Sequence, residues 1–415
     1  MTTVAYIANS FPSPVEPYVM DEISELRRRG VQVICCSAER VSPDHLSGEE
    51  RSFHRETRYI RPVLPSLGKL GRVLASKGEE LTPVLKAARE ESATRKKRLR
   101  IFAHTLLGAA LAHELRSADV DHIHAHHGYY ASWMALIASR LLGIDFSFTL
   151  HGSDLLLHEN LLGTKLRFCR FCMTVSDYNR DYILQKFPHT SAAKVLVQRL
   201  GADVDESAWS ERPQPEPTPL LLSVGRLNGV KNHEFLIQAC AALRNEGRAF
   251  RCSIAGDGPQ RRYLAGLIRA LELQGYIRLL GHVPRTTLFE IYPRADLVVL
   301  TSRSEGIPLA LMEAMARGTL VLAPAITGIP ELVRHKENGF LYQPGSILDF
   351  LESVRWILDR RSSLEHVRRA AVQTISAQYN RQHNVAGFAD RFLARLGGGK
   401  DRHEDSLLQQ VQLSV

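Results

Sequence analysis

The sequence predicts an α/β protein built from two doubly wound, parallel-sheet domains, and three observations carry that prediction. The chain, at 415 residues, exceeds a usual single domain. Short apolar runs alternate with amphipathic segments along most of it, the rhythm of parallel strands joined by crossover helices. That rhythm breaks once, at Glu211 to Pro219, where prolines stand at 213, 215, 217 and 219. Neither a helix nor a central strand tolerates such a run, so it reads as an extended linker between a domain over 1–210 and a second over 220–378.

The first strand is expected at Val4 to Ala8. Behind it Val19, Ile23 and Leu26 recur at helical spacing, Arg27 to Arg29 suit the carboxyl end of that helix, and Gly30 stops it. Further strands are expected at Val31 to Cys36, His122 to Ala125, Phe146 to Leu150, Phe171 to Val175 and Val195 to Leu200. After the linker they are expected at Leu220 to Val224, Arg251 to Ala255, Ile277 to Leu280, Leu297 to Leu300 and Leu320 to Ala323, with helices such as His233 to Asn245 and Pro308 to Arg317 between them. A last helix over 379–396 is expected to cross back to the first domain. Residues 397–415 open on three glycines, turn polar and read as a mobile tail. Two such domains are expected to leave a ligand cleft at the carboxyl ends of their sheets.

Composition narrows the class. With 44% hydrophobic and 23% charged residues the chain reads as an ordinary soluble globular protein. Met1 to Pro14 lacks the pattern of a signal peptide, and Ile101 to Leu115 is too short and too polar to span a bilayer, so a cytoplasmic location is expected. The six cysteines, including the lone Cys169/Cys172 pair, are expected as reduced, buried side chains. A formal charge of +9 asks for an acidic partner, and the one dense cluster is Arg95, Lys96, Lys97, Arg98 and Arg100. It reads either as a solvated helix end or as a patch for anionic lipid headgroups on the inner face of the cell membrane. Nucleic acid is disfavoured, because no aromatic residues interleave with these cations.

The sequence has neither a G-x-G-x-x-G nor a phosphate-binding P-loop motif. Each candidate site of the second domain falls instead where a strand has just ended. Gly225 to Asn232 places Arg226 and Lys231 around a turn, a fork of donors and a compact charge suited to a diphosphate. Gly256 and Gly258 form a turn that either admits a ligand to the backbone or merely bends tightly. Ser302 to Ala316 puts Glu305 before a helix expected to carry Pro308 in its first turn, and Glu313 inside that helix. The amides of Gly306 to Leu309 would then be the unpaired donors of a helix start, suited to phosphate, with the two carboxylates placed to accept from sugar hydroxyls.

These stretches, Gly225 to Asn232 and Glu305 to Glu313 above all, resemble glycosyltransferase family 4, enzymes of the GT-B fold, and the resemblance covers residues 1 to 396. It implies that Arg226 and Lys231 hold the diphosphate of a nucleotide-sugar donor. It further implies that Glu313 binds ribose, that Glu305 binds the transferred sugar with the backbone of Gly306 and Ile307, and that the loop at Val283 lies beside the base. His151-Gly152-Ser153-Asp154 is similar to the family's H-G-x-D segment, whose histidine meets the donor sugar and its phosphate region. Ile123 to Gly128 resembles the I-H-A-H-F-G stretch of exopolysaccharide-building members. Glu16, His127 and Asp154 are the acceptor-side candidates. One departure is that Asn9 to Glu16 lacks the glycine-rich loop of many members.

His124 and His126 share a strand face with no acidic partner evident, so no metal site is expected, and the resemblance implies a metal-independent, retaining transfer. The acceptor is expected to be a saccharide or a lipid-linked saccharide of surface polysaccharide synthesis. A nucleotide-sugar epimerase of the same fold, or a non-catalytic partner in a polysaccharide assembly complex, are the alternatives. Donor incubated without acceptor separates the first, and nucleotide-sugar binding the second.

Overall fold

A parallel strand is covered on both faces and must be apolar along its length. Thr3–Ser10 (β1) meets that demand, with Val4 to Ala8 all buried. In the computed structural model, which describes residues 1–43, 46, 48–60, 77–91, 94–157, 160–204 and 216–397, β1 is central to a parallel sheet. The other strands of that sheet are Gln32–Glu39 (β2), Arg58–Tyr59 (β3), His122–His126 (β4), Asp145–Leu150 (β5), Phe171–Thr174 (β6) and Val195–Val197 (β7), in the order β3-β2-β1-β4-β5-β6-β7. The second sheet comprises Leu220–Val224 (β8), Arg251–Ala255 (β9), Ile277–Gly281 (β10), Leu297–Val299 (β11), Leu320–Pro324 (β12) and Phe340–Tyr342 (β13), in the order β10-β9-β8-β11-β12-β13. Both are doubly wound, and the strand order reverses between β1 and β4 in one and between β8 and β11 in the other.

Three expected strands end earlier than read, at Thr174, Val197 and Val299, because the residues after them turn toward the loops. Asn9 and Ser10 belong to β1 rather than to the loop after it. Two short strands, β3 and β13, went unread. Each is two or three residues long, too short for periodicity to register.

The chain divides into two compact units, one of residues 1–175, 180–198 and 385 onward, the other of 176–179 and 199–384. Of the proline-rich stretch only 216–219 is described, and the tail beyond Gly397 lies outside the described residues. All six cysteines are free and buried.

In the first unit helix Tyr130–Leu142 is buried nearly all round, covered on one side by helix Arg95–Leu115. The two approach closely at Gly108, where a Cβ would lie 2.7 Å from Cβ of Ile137. Trp133 sits in that interface and donates its indole N–H to Thr105 at 3.1 Å. Helix Arg381–Gly397 brings Phe388 and Phe392, both buried, against His124, with ring centroids 6.3 and 5.1 Å away.

The second unit is held by a backbone crossing. The Gly225 amide donates to Ala255 O at 3.0 Å, that of Leu227 to Asp257 O at 2.9 Å, and that of Gln260 to Leu227 O at 3.0 Å. The loops after β8 and β9 therefore run in contact. At Gly256, where φ is +147°, a Cβ would lie 2.0 Å from the carbonyl oxygen of Gly225. Tight backbone packing alone thus requires this glycine.

Gly256→Ala should destabilise the protein by about 3 kcal/mol or more, since both the φ and the overlap are unfavourable. Gly266→Ala, in the open middle of helix Arg261–Ala270, should stabilise by roughly 0.5–1 kcal/mol. Urea melts of the two variants would check the contrast, and equal midpoints would contradict it.

Candidate active site

In the first unit the candidate residues follow the carboxyl ends of β1, β4 and β5, around the point where strand order reverses. Asp154 is buried and accepts three backbone amides, from Gly128 at 2.9 Å, His151 at 3.1 Å and Gly152 at 2.8 Å. It thereby ties the loop after β4 to the loop after β5. Burial pushes its carboxyl up, but hydrogen bonding and charge from His127 outweigh that and hold it well below the usual carboxylate range.

His127, in the left-handed region at φ +68°, lies between two carboxylates. Its Nε2 is 3.0 Å from Glu16 and its Nδ1 3.5 Å from Asp154. Burial lowers the imidazole, yet the Glu16 charge and the Asp154 hydrogen bond prevail and raise it to about 10. Glu16 is held below its ordinary value by the same pairing, against its own burial. His127 is therefore an imidazolium at neutral pH.

His151 has the opposite character. Burial, then the positive charge of His127, pushes it well below 6.5, so it is a neutral imidazole. Tyr18 stacks on it at 4.5 Å, and its Nε2 lies 3.2 Å from Nδ1 of His126.

The acidic partner missing from the sequence reading is present. Glu22, from helix Pro17–Arg28, receives Tyr6 OH at 2.9 Å and lies 2.9 Å from His126 Nε2. The signal for it existed: Glu22 falls three residues after Val19 and beside Ile23, on the apolar face of its helix. Among the described residues, Glu22, His124 and His126 form a trio with donor atoms within 4.8 Å of one another, the chemistry of a metal site. Each imidazole nitrogen of the trio is already occupied. His124 meets Ser147 at 2.8 Å and Thr149 at 3.0 Å, and His126 meets Glu22 and His151.

Sequence reasoning also passed over Lys165, which is fully buried. Its ammonium donates to the carbonyls of Gly128 and Tyr129, each at 2.8 Å, and of Asn160 at 2.5 Å. Burial brings it down to about 7.

The second unit repeats the plan, with its candidates after β8, β9, β10 and β11. Lys231 and Glu305 come together across the reversal point, Nζ to Oε1 at 2.5 Å, from the loops after β8 and β11. Thr301 Oγ1 donates to the carbonyls of Lys231 and Asn232, both at 3.1 Å, and Thr327 Oγ1 to that of Glu305 at 2.6 Å, so both loops are braced. Arg226 is exposed, and among the described residues its side chain has no hydrogen-bonded or ionic partner. Val283 is half-buried, and Ile307 and Pro308 are buried. Ser302 and Ser304, in the same loop as Glu305, bury hydroxyls without a partner among the described residues.

Pro308 does not lie inside the helix as expected. The helix is Leu309–Ala316, and Pro308 is its N-cap with an extended ψ of 121°. Its carbonyl accepts from Leu311 and Met312 at 3.1 and 3.3 Å, and the donors ahead of it remain those of a helix start. Glu313, 6% exposed, is held by Arg285 Nε at 2.7 Å and Tyr292 OH at 3.1 Å, neither of which the sequence reading singled out.

Comparison with known proteins agrees with this geometry. The model for glycosyltransferase family 4 matches residues 15–206, and that for glycosyl transferases group 1 matches residues 205–374. The colanic acid biosynthesis glycosyltransferase WcaL of Escherichia coli, itself a putative assignment by name, is 40% identical over 156 residues. That stretch is 36% of this chain and only 38% of the relative's length. Among solved structures, sucrose-phosphate synthase of Thermosynechococcus elongatus superposes with a TM-score of 0.73 at 16% identity, covering 96% of this chain and all of the other. The Anabaena protein HepE, solved in complex with UDP-glucose, superposes with a TM-score of 0.70 at 18% identity, over 95% of this chain and all of its own. Two family models that together run from residue 15 to 374, over two doubly wound parallel sheets, place this chain in glycosyltransferase family 4, with the GT-B fold.

Proposed function

We propose that the protein transfers a sugar from a nucleoside diphosphate to a saccharide or lipid-linked acceptor, with retention of configuration and without a metal, in the building of a surface polysaccharide. The observation that carries this reading is the Lys231–Glu305 pair at 2.5 Å, set at the strand-order reversal of the second unit with buried Glu313 in the helix just beyond it. That site offers a cation for the diphosphate, a carboxylate for the sugar and a second carboxylate for the ribose of a nucleotide sugar.

In this reading Lys231 and exposed Arg226 take the charge that grows on the leaving diphosphate, helped by the amides ahead of Leu309. The acceptor hydroxyl attacks the anomeric carbon on the face from which the diphosphate departs. Its proton passes to the departing phosphate oxygen, so no protein carboxylate need become a nucleophile. Two cations and a helix start do the work a divalent ion would otherwise do. We assign the acceptor to Glu16, His127 and Asp154 in the first unit, and contact with the sugar to neutral His151. The polysaccharide setting is supported by the name of the matching WcaL relative, and the nucleotide-sugar donor by UDP-glucose in HepE.

We also assign the basic cluster to the membrane surface. Arg95 to Arg100 form the first turns of helix Arg95–Leu115, whose first turn holds no acidic residue. Cations there oppose the helix dipole, a local cost that an anionic partner would reverse. Within the cluster Leu99 is 71% exposed, and just beyond it Phe102 is 61% exposed, apolar side chains able to enter a lipid interface. Among the described residues no helix is long and apolar enough to cross a membrane.

Lys231→Ala should lower kcat, by about 2.7–4 kcal/mol of barrier. Glu313→Ala should chiefly raise the donor KM and weaken free nucleoside diphosphate. Glu305→Ala should leave that free affinity unchanged or slightly tighter, since it releases Lys231, while impairing use of the intact donor. Calorimetry beside steady-state kinetics separates these outcomes. Equal loss of free-nucleotide affinity in both glutamate variants would refute the division between sugar and ribose.

Excess chelator should alter neither activity nor melting temperature; loss of activity restored by magnesium or manganese would overturn the metal-free account. Binding to anionic vesicles should be salt-sensitive. It should weaken more than about tenfold when the five cations become glutamine, at roughly 1 kcal/mol each. Unchanged vesicle binding would return the cluster to solvent.

A further inference from the structure

Glu313 is a buried carboxylate, and a buried charge must be compensated and hydrogen-bonded. Arg285 and Tyr292 do both, each on a different oxygen: Arg285 Nε on Oε1 and Tyr292 OH on Oε2. A carboxylate offers about four lone-pair directions. One on each oxygen is taken, which leaves one on each oxygen of the same carboxylate. Two adjacent hydroxyl donors, a vicinal diol, complete that set, whereas a single hydroxyl leaves one direction unmet.

The holders are themselves held. Arg285 Nη2 lies 3.9 Å from Asp203, which is paired with Arg381 at 2.9 Å, and its guanidinium stands 5.0 Å from the Phe289 ring. Tyr292 is buried, and its backbone carbonyl accepts from Thr319 Oγ1 at 2.7 Å. The Glu313 carboxylate is thus fixed in plane and in charge before any ligand arrives.

We propose that Arg285 and Tyr292 are positioning residues that aim Glu313 at a cis-diol, so that the protein selects a ribonucleoside diphosphate over its 2′-deoxy counterpart. The inference rests on the reading of Glu313 as the ribose ligand and adds to it the residues that enforce the choice of sugar. An analogue lacking one hydroxyl leaves a buried acceptor unpaired, and discrimination follows from that loss.

The test uses the full chain and calorimetric titration with UDP, GDP and ADP, continuing with the tightest binder and its 2′-deoxy form. The wild type should prefer the ribonucleotide by about tenfold or more. Arg285→Gln and Tyr292→Phe should each bring that ratio down to within about threefold of unity, chiefly by weakening the ribonucleotide, and should raise the donor KM with little change in kcat. Arg285→Lys, which keeps the charge but not the fixed Nε–H, should restore only part of the ratio. Melting curves confirm that each variant is folded. Arg285 is partly exposed and Tyr292→Phe is nearly isosteric, so both substitutions suit the fold.

A wild-type ratio retained in Arg285→Gln and Tyr292→Phe but lost in Glu313→Gln overturns the positioning role and leaves the ribose reading standing. A ratio retained in Glu313→Gln as well overturns the ribose reading itself. Tighter ribonucleotide binding by Arg285→Gln would show that Arg285 obstructs the carboxylate rather than aims it.

Discussion

A parallel strand must be buried on both faces, and the two sheets of this protein follow from meeting that constraint twice. Helices cover each face, each crossover returns the chain to the same end of the sheet so that the strands run parallel, and the loops that leave the strand ends carry the polar residues the strands cannot. Where the strand order reverses, adjacent loops part in opposite directions and leave room for side chains to meet. Glu16 and His127 meet in this way after β1 and β4, and Lys231 and Glu305 after β8 and β11. The chemistry of each unit lies where its covering layers separate.

The two units use charge differently. In the second, the charged groups pair across loops and helix, Lys231 with Glu305 and Arg285 with buried Glu313. In the first, a buried imidazolium sits between two carboxylates while its neighbour His151 is kept neutral by burial and by that same positive charge. Two histidines 4.7 Å apart between ring centroids thus occupy opposite protonation states at one pH. The arrangement separates a permanent cation from a neutral hydrogen-bonding ring, which a pair of exposed histidines could not do.

Much of this was legible in the sequence. Continuous apolar runs marked most of the strands, and the turn residues after them marked the loops that carry Arg226, Lys231, Glu305 and His151. What stayed hidden has a common physical cause. Glu22, Lys165, Arg285 and Tyr292 act through long-range partners, and their types are common on any helix. The place of Glu22 on the apolar face of its helix marks its burial, but its partner is a histidine 104 positions away, and no local pattern encodes that separation. The short strands β3 and β13 escaped for a different reason, since two or three residues hold no period. The cap at Pro308 shows a third limit: proline is compatible with both the last extended residue and the first helical one, and only the backbone ψ decides between them.

The backbone crossing at Gly256 bears on Arg226 in a way that its exposed side chain conceals. Arg226 lies between Gly225, whose amide donates to Ala255 at the end of β9, and Leu227, whose amide donates to Asp257 in the loop that follows, so the backbone is tied down before and after it. A cation on a freely moving loop surrenders backbone freedom when it grips an anion, about 1–2 kcal/mol for each residue ordered. At Arg226 that ordering is complete once the protein has folded, and only the rotamers of the side chain remain to be lost. An exposed arginine on a rigid stem can therefore hold a diphosphate with an entropic penalty confined to its own side-chain torsions.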